Sequence, residues 1–306
     1  MSIIVGQIGL GVLGSAMAPN IMKSGFELVG YDIRPEIIDE LAAAGMARGE
    51  GPADVAAEAD MVITCLPGAA ALMEVAAGIA EAITSAGKTG QIVIETSTLA
   101  VADKVAAKAI IGAAGGRMLD CPVSGNRILA VKKQLTAFAS GERGAFEAAE
   151  AVIGGFASRV FHVGDFGAGM KMKFCANILN LVHNSVAAEV MVLGMKSGLD
   201  PQLMHQVISG SGSSSSMFET RGLMMARNNY VHEGMNFSVP LKDSRFISEH
   251  AAELCVPIPI YQAALQPYYA AVAQGHMEED AAAVCAAMER AANCERPENE
   301  KSENLF

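Results

Sequence analysis

The sequence of 306 residues contains no tryptophan, and aromatic residues make up only 5% of it. Basic residues are also few: 22 Lys and Arg face 33 Asp and Glu, which gives a net charge of -11 at pH 7. A surface with this excess of negative charge is unsuited to nucleic acid or an anionic membrane as a main partner. An anionic ligand would therefore have to be held by local dipoles or by a few placed cations.

Cysteine and histidine patterns typical of metal or redox sites are also absent. The six cysteines include no CxxC pair, and most have apolar neighbours in the sequence, so we expect buried, reduced thiols. The six histidines show neither HExxH nor HxxxH spacing, so we predict no metal site. No positive residue precedes Lys23, as a signal peptide would require. These features together favour a cytoplasmic protein.

One stretch, residues 174–195, is long enough to cross a bilayer. It contains several polar residues, among them Asn177, Asn184 and Glu189. Polar and charged side chains are costly inside a membrane. The sequence therefore indicates a helix buried within protein, and we predict no membrane partner.

The distribution of strand and helix signals divides the chain. Up to Gly164, short apolar runs such as IIVGQIG alternate with alanine-rich helical segments, which is typical of a doubly wound, mostly parallel sheet. After Gly164 the strand signal stops, and one long apolar helix runs from Ala168 to about Lys196. We predict a Rossmann-like α/β domain over 1–165, an all-helical domain over 166–292 that includes the long interdomain helix, and a disordered tail over 293–306.

The first strand runs into a glycine-rich turn that matches the dinucleotide-binding fingerprint GxGxxG. In that fingerprint Gly9 makes the tight turn, Gly11 lets the backbone approach a pyrophosphate, and Gly14 allows close helix packing. The following helix N-terminus offers its dipole to the phosphates, so no basic surface is needed. The predicted loop consists of Gly9, Leu10, Gly11, Val12, Leu13 and Gly14.

The second strand ends in Asp32, where the fingerprint places an acidic residue. A carboxylate there accepts hydrogen bonds from a ribose 2′-hydroxyl and repels a 2′-phosphate. We therefore expect NAD as the preferred cofactor. Arg34, two residues later, could soften that preference and admit NADP.

Two lysines, Lys171 and Lys173, lie near the start of the long apolar helix, where cations oppose the helix dipole. Lys173 and Asn177 are spaced i and i+4 and share one face, whereas Lys171 points about 200° away from Lys173. Both lysines could be surface residues with extended stems. The conflict with the dipole instead suggests that one of them faces a cleft and has a function.

Four motifs occur in order over roughly residues 3–290: GLGVLG (9–14), DCPVSG (120–125), GAGMKMKFCAN (167–177) and PLKD (240–243). In these motifs the chain resembles the β-hydroxyacid dehydrogenases, relatives of 3-hydroxyisobutyrate dehydrogenase and tartronate semialdehyde reductase and, more distantly, of 6-phosphogluconate dehydrogenase. The resemblance implies reversible NAD-linked oxidation of a β-hydroxy acid or a related hydroxy acid. The family's catalytic lysine, in the pattern G-x-G-x-x-x-K-x-x-x-N, falls on Lys173, and its paired asparagine falls on Asn177.

The resemblance also implies roles for further positions. Leu66 and Pro67 would line the adenosine side of the cofactor, and Thr98 would lie near the nicotinamide ribose. Lys242 would reach toward the cofactor from the helical domain. The candidate substrate-binding residues are Ser124, Gly125, Asn126 and Arg127.

The sequence departs from the family pattern just after Ser124 and Gly125, which would bind the substrate carboxylate. Many members have small residues there, whereas this chain has Asn126 and Arg127. A guanidinium beside the pocket offers a planar, bidentate site for a second carboxylate, a phosphate or a sulfonate. Alternatively, Arg127 points outward and pairs with a surface carboxylate.

A lysine at its reference pKa of about 10.4 is a poor base at neutral pH. Burial and the positive nicotinamide should lower the pKa of Lys173 toward the working range. Two other functions share this scaffold: an imine or semialdehyde reductase, and a non-catalytic dinucleotide-binding assembly module. The intact lysine–asparagine pair argues against imine reduction and against the non-catalytic module, whereas semialdehyde reduction is the same reaction reversed.

Methionine-rich segments such as MVLGM and GLMMA make the helical domain apolar. Such residues are either core methionines or part of a surface that a second copy covers. Family resemblance favours oligomers, so we expect a homodimer or a homotetramer.

Overall fold

A computed structural model describes residues 2–232 and 236–296 of the chain. Within these residues the N-terminal part forms a six-stranded sheet in which every neighbouring pair is parallel. Its strands are β1 (Ile4–Ile8), β2 (Glu27–Tyr31), β3 (Ala47–Arg48), β4 (Met61–Thr64), β5 (Ile92–Glu95) and β6 (Arg117–Asp120). The spatial order is β3-β2-β1-β4-β5-β6, the doubly wound order of dinucleotide-binding domains. The predicted parallel sheet is confirmed.

Helices cover both faces of this sheet because successive strand residues point to opposite sides. Val62 and Val93 belong to one core cluster, and their neighbours Ile63 and Ile94 belong to the other. The strands are therefore apolar on both faces, as a sheet buried between helices requires. The helices of this part are α1 (Gly14–Lys23), α2 (Pro35–Ala43), α3 (Pro52–Glu58), α4 (Ala69–Ser85), α5 (Val101–Ala113), α6 (Arg127–Val131) and α7 (Arg143–Phe156).

A small second sheet follows the large one. It consists of β7 (Val123–Ser124), β8 (Leu135–Ala139) and β9 (Ala157–His162), with β7 antiparallel and β9 parallel to β8. An isolated bridge between Asp120 and Ser140 connects the end of β6 to the end of β8. The short strands β3 and β7 were not predicted, because two residues are too few to show a periodic pattern.

The strand order reverses between β1 and β4, and ligands in such sheets bind at the carboxyl ends of the strands beside this point. The loops at that edge contain Gly9 after β1, Asp32 after β2, Leu66 after β4 and Thr98 after β5. The topology thus brings together four segments that the sequence separates widely.

Helix α8 (Ala168–Lys196) is continuous, and the boundary between two compact units falls inside it, between Ala176 and Asn177. The sequence-based boundary at 165/166 lies just before the helix begins. Beyond α8 the described residues are helical, as predicted: α9 (Pro201–Ile208), α10 (Ser216–Arg227), α11 (Ser238–Glu253), α12 (Pro259–Ala264), α13 (Gln266–Ala273), a 3-10 turn (Ala281–Ala283) and α14 (Val284–Ala291).

Among the described residues, α8 is the helix that is long and apolar enough to cross a membrane by length and composition alone. Half of its most apolar window is buried inside the protein. Its polar residues have partners there: Asn184 Nδ2 donates to the Tyr268 hydroxyl (2.8 Å), and Ser185 Oγ donates to the carbonyl of Ala264 (2.7 Å). These contacts are typical of a helix that packs against protein on one side, whereas Leu179, Val186 and Leu193 on the same helix are exposed, so the predicted burial of the whole helix is only partly met.

The tail that we predicted to be disordered begins at Asn293. Arg296 is described and makes specific contacts: Nε donates to Glu289 Oε2 (2.9 Å), and an Nη group donates to the carbonyl of Met225 (2.8 Å) at the end of α10. Residues 297–306 lie outside the described part of the chain.

All six cysteines are free thiols, but the prediction that most are buried is wrong. Cys121 and Cys285 are buried, whereas Cys175 and Cys255 are exposed. Cys175 lies on the outward face of α8, and Cys255 adopts a left-handed backbone conformation just after α11. Apolar sequence neighbours do not ensure burial, since each residue of a helix faces its own direction.

Candidate active site

The turn after β1 is shaped by backbone contacts. Gly9 has a φ of +91°, and a Cβ placed there would lie 2.3 Å from the carbonyl oxygen of Cys65. A Cβ on Gly14 would lie 2.2 Å from the carbonyl oxygen of Gly9. Around Gly11, by contrast, the nearest atom to such a Cβ is an Nη of Arg34 at 3.6 Å. The turn is therefore tight against the protein at Gly9 and Gly14 and open at Gly11, which fits a bound pyrophosphate.

The rest of the turn agrees with this role. Leu10 is fully buried and anchors the loop, and Val12 is half exposed. Leu13 precedes α1, and no side chain within the described residues caps the first turn of that helix. The amides of Ser15 and Ala16 already donate to the carbonyls of Gly11 and Leu13, so an anion here would meet the helix dipole and the amides that precede Ser15.

Asp32 lies beside this turn and is nearly buried, at 8% exposure. Its Oδ2 accepts a hydrogen bond from the Leu10 amide (2.7 Å), and its Oδ1 accepts from both the amide and the Nε of Arg34 (3.0 Å each). Burial by itself would raise the pKa of Asp32, but the hydrogen bonds from Arg34 and Leu10 outweigh it, so the pKa is lowered. The carboxylate is therefore ionised, and Arg34 is held between it and Gly11.

The loops after β4 and β5 contact each other and the glycine turn. Leu66 donates its amide proton to Ser97 Oγ (2.7 Å), and its side chain would be 3.2 Å from a Cβ on Gly9. Thr98 follows Ser97 and is partly buried, and Pro67 is exposed. The structure thus brings Leu66 to the predicted cofactor loop.

The predicted substrate residues lie where β7 leads into α6: the partly buried Ser124 ends β7, Gly125 and Asn126 form the turn, and Arg127 begins α6. Gly125 has a φ of +137°, and a Cβ there would lie 2.5 Å from Leu135 Cδ2, so this position also requires glycine. Asn126 caps α6, since its Oδ1 accepts from the Leu129 amide (3.0 Å). Arg127 is exposed, and in the described part of the chain it forms no ion pair with a surface carboxylate.

The two lysines of α8 have different surroundings. Lys173 is 7% exposed, whereas Lys171 is exposed, as their angular separation around the helix predicts. The start of the helix is held closely: a Cβ on Gly169 would lie 2.3 Å from the carbonyl oxygen of Phe138. Glycine at this position allows α8 to begin against the end of β8.

One turn after Lys173, in the second compact unit, Asn177 Nδ2 donates to Asp243 Oδ2 (2.9 Å). Asp243 is 6% exposed and lies in α11, next to Lys242, whose Nζ is 3.6 Å from Asp243 Oδ1. The sequence motifs predicted roles for Lys242 and Asn177 but none for Asp243. Its place in the motif PLKD was the available signal.

A cluster of three buried charges was also missed. Lys104 Nζ of α5 lies 2.7 Å from Asp120 Oδ1 and 2.7 Å from Glu95 Oε2, and none of the three side chains is exposed. The contact between Lys104 and Asp120 is a hydrogen-bonded ion pair. The contact between Lys104 and Glu95 is an ion pair by distance, without an aligned hydrogen bond.

Within the described residues no group of His, Cys, Asp and Glu side chains is arranged to hold a metal ion.

Comparison with known proteins decides the family. Residues 4–164 match the model of the NAD-binding domain of 6-phosphogluconate dehydrogenase, and residues 167–288 match the NAD-binding model of NADP-dependent 3-hydroxyisobutyrate dehydrogenase. The chain belongs to the β-hydroxyacid dehydrogenase family.

Similar proteins span nearly the whole of this dehydrogenase. L-threonate dehydrogenase of Cupriavidus necator is 33% identical over 285 residues, covering 93% of this chain and 95% of the relative. The mitochondrial 3-hydroxyisobutyrate dehydrogenase of Rattus norvegicus is 33% identical over 289 residues, covering 92% and 85%. The structure of 3-hydroxyisobutyrate dehydrogenase from Salmonella typhimurium matches with a TM-score of 0.83 at 29% identity, covering 93% of this chain and 99% of that one.

The chain is therefore an NAD(P)-dependent oxidoreductase that acts on hydroxy acids. The fold and the family inferred from the motifs are confirmed. The open backbone at Gly11 and the ionised Asp32 fit the cofactor that this family uses.

Proposed function

We propose that this dehydrogenase catalyses the reversible oxidation of a β-hydroxy acid to its semialdehyde or keto form, with Lys173 as the general acid/base. The observation that carries the proposal is the burial of Lys173 at the start of α8, at the family's lysine position. Lysine is costly to bury without a purpose. The exposed Lys171, only two residues away, has no such environment.

The chain's own residues supply proton transfer and orientation. A cofactor held by the glycine turn (9–14) and Asp32 would supply the hydride acceptor for oxidation and the hydride donor for reduction. Lys173 removes the hydroxyl proton during oxidation and returns it to the carbonyl oxygen in the reverse direction. To act as a base, Lys173 has to be present as the neutral amine. Asp243 accepts from the side-chain amide of Asn177, which fixes the rotamer of the Asn177 side chain.

We propose that Ser124 and Gly125 bind the substrate carboxylate, through the serine hydroxyl and backbone N–H groups. L-threonate and 3-hydroxyisobutyrate, named for two relatives, share a carboxylate and a hydroxyl but differ in further hydroxyl groups. The exposed Arg127 favours a substrate that is more polar than a simple monocarboxylate.

An assay of NADH or NADPH at 340 nm tests this function. The panel contains L-threonate, 3-hydroxyisobutyrate, a hydroxylated dicarboxylate, semialdehydes and cyclic imines, each with both cofactors. Turnover of hydroxy acids with none of imines is expected, because the acid/base lysine and its asparagine are both present. Turnover of imines alone, or of no substrate despite cofactor binding, would refute the proposal in favour of the reductase or the non-catalytic module.

The same dehydrogenase is proposed to be a homodimer or a homotetramer. Three apolar side chains of α8, at intervals of seven residues, are exposed: Leu179 (56%), Val186 (46%) and Leu193 (70%). A seven-residue apolar repeat on one helix face is a pattern that a second helix covers. Light scattering coupled to gel filtration should give a mass of two or four subunits, and Leu193→Glu should lower that mass.

A cytoplasmic location stays a prediction from the sequence, testable by cell fractionation.

A further inference from the structure

The buried cluster of Lys104, Glu95 and Asp120 has no place in the proposed chemistry, yet it is the most deeply buried set of charges described in the chain. One ammonium and two carboxylates leave it with an excess of negative charge. Such clusters contribute little net stability, since desolvation offsets the attraction between their members. Stability alone is thus a weak reason for its presence, and the groups that it contacts indicate another.

One arm of the cluster reaches the start of α8. Asp120 Oδ2 accepts from the amide of Met170 (2.8 Å) and from Ser140 Oγ (3.1 Å), and Ser140 Oγ accepts from the amide of Gly169 (2.9 Å). No acidic residue lies in the first turn of α8, so these acceptors come from the ends of β6 and β8. The positive end of the helix dipole also offsets the excess negative charge of the cluster.

This arm fixes the helix where it matters for Lys173. A Cβ on Gly169 would lie 2.8 Å from the carbonyl oxygen of Asp120, so α8 is pressed against the strand end without room to shift. Lys173 follows Met170 by three residues and Gly169 by four, which places it on the same helix face. Any rotation or translation of the first turn would therefore move the lysine.

The other arm reaches the loops proposed to hold the cofactor. Glu95 Oε1 accepts from the amide of Ser97 (2.9 Å), and Ser97 Oγ accepts from the amide of Leu66 (2.7 Å). Thr98 is the next residue along the chain. Lys104 thus connects the segment expected beside the nicotinamide to the helix that carries the acid/base.

We propose that Lys104 is a positioning residue: by binding Glu95 and Asp120 together, it holds the Ser97–Thr98 loop and the first turn of α8 in one fixed relation. The inference rests on the proposed acid/base role of Lys173. Lys104 itself transfers no proton.

The ionisation of Lys104 is consistent with a constant structural charge. Burial alone would lower the pKa of Lys104, but attraction to Glu95 and Asp120 outweighs it, and the pKa is raised. The ammonium therefore stays protonated at neutral pH. If kcat changes with pH near neutrality, the group that titrates is therefore not Lys104.

The test compares Lys104→Met with Lys23→Met, a control at an exposed lysine in the last turn of α1. Methionine preserves most of the stem volume and removes the charge. For Lys104→Met we expect kcat, expressed per cofactor-binding site, to fall roughly 10- to 100-fold. Small displacements of a reacting group lower reaction rates by about this factor. NADH affinity, measured by fluorescence, should change less than about threefold. Lys23→Met should match the wild type in both measurements.

A second readout does not depend on activity. Hydrogen exchange of the cofactor-free enzyme, followed by mass spectrometry, should show amides of residues 167–176 exchanging at least about tenfold faster in Lys104→Met. The helices of the second compact unit should exchange at the wild-type rate. Faster exchange throughout the protein, with unchanged kcat per binding site, would overturn the proposal and make the cluster a folding element only.

Ser140→Ala provides a variant that leaves all three charges in place. It removes the acceptor for Gly169 N–H, and we expect kcat to fall roughly 3- to 10-fold with faster exchange in 167–176. If Lys104→Met does not fold, Ser140→Ala becomes the deciding variant. Wild-type kcat and wild-type hydrogen exchange of residues 167–176 in Ser140→Ala would then overturn the proposal.

Lys173→Ala separates the two hypotheses. Wild-type turnover in Lys173→Ala would refute the acid/base assignment itself. An inactive Lys173→Ala enzyme beside a fully active, normally exchanging Lys104→Met enzyme would refute the positioning role alone.

Discussion

Two turns of the first unit differ in how they are built: the turn after β1, proposed for the cofactor and called the cofactor turn, and the turn before α6, proposed for the substrate and called the substrate turn. At the cofactor turn, Gly9 lies so close to the backbone of Cys65 that no side chain fits, and Leu10 is fully buried. The substrate turn also has a glycine that is closely packed, Gly125, but it then leads into the exposed side chain of Arg127. Backbone packing thus determines the shape of the cofactor turn, whereas the exposed side chain of Arg127 determines what the substrate turn offers to a ligand. The first tolerates little change, whereas the second can vary with the substrate.

The largest expected effect concerns Lys173, the proposed acid/base. Lys173→Ala should lower kcat by about 10²- to 10⁴-fold, the usual contribution of a general acid/base. NADH affinity should stay nearly unchanged, because the glycine turn and Asp32 are intact. Steady-state kinetics and a fluorescence titration measure the two quantities.

Lys171→Ala is the matched control, because its side chain is exposed on another face of the same helix. Its kcat should remain close to that of the wild type. If the two variants exchanged these outcomes, the assignment of the motif to Lys173 would be wrong by two residues.

The contrast between closely packed and open positions can be tested inside the cofactor turn. Gly9→Ala should reduce the free energy of unfolding by roughly 1–3 kcal/mol from backbone strain, with a further loss from the contact with Cys65. Gly11→Ala should fold with nearly wild-type stability, because a Cβ there has room and φ is not positive. It should nevertheless weaken NADH binding by blocking the approach of the pyrophosphate.

Thermal unfolding and NADH titration distinguish the two glycines. If Gly9→Ala were as stable as the wild type, the backbone around Gly9 would be able to move and make room for a Cβ, contrary to what its packing indicates. Unchanged NADH affinity in Gly11→Ala would contradict the proposal that the pyrophosphate binds beside Gly11.

On the substrate side, Arg127→Ala should raise KM roughly 10- to 100-fold for a substrate with an additional anionic or polar group, equivalent to about 1.5–3 kcal/mol. For 3-hydroxyisobutyrate the change should be small, because its one carboxylate is proposed to bind Ser124 and Gly125. Kinetics with both substrates provide the internal control. An unchanged KM for every substrate of the panel would exclude Arg127 from recognition.

The smallest effect concerns cofactor choice at Asp32. We expect kcat/KM to be higher with NAD than with NADP, because the ionised carboxylate repels a 2′-phosphate. Asp32→Asn should narrow this difference, while Arg34→Ala should widen it, because Arg34 is the cation available to a 2′-phosphate. A wild-type preference for NADP would contradict the assignment.

The pH dependence follows from the same carboxylate. Because the pKa of Asp32 is lowered from 3.8 in the folded protein, its contribution to stability is present above pH 3.8 and is lost as the pH falls through the folded pKa. The difference in thermal midpoint between wild type and Asp32→Asn should thus be constant from pH 5 to neutrality and shrink in stronger acid. A difference that grew on acidification would contradict the lowered pKa.

Several features of the site could be predicted from the sequence, because they depend on local geometry. Gly9 and Gly14 mark a strand–helix turn that side chains cannot enter, and the helical period alone separates Lys173 from Lys171. The prediction that most cysteines are buried was wrong, as the exposed Cys175 shows, since apolar neighbours in the sequence do not say which way one helical residue faces.

Only the tertiary structure decided which distant groups meet. Lys104, Glu95 and Asp120 come from three different elements, and the sheet topology alone brings them to one buried point. The pairing of Asn177 with Asp243 likewise joins residues of two helices. Such contacts have no periodic signal in the chain. Local backbone preferences repeat along the sequence, whereas a hydrogen bond between distant side chains exists only once the fold has placed both partners.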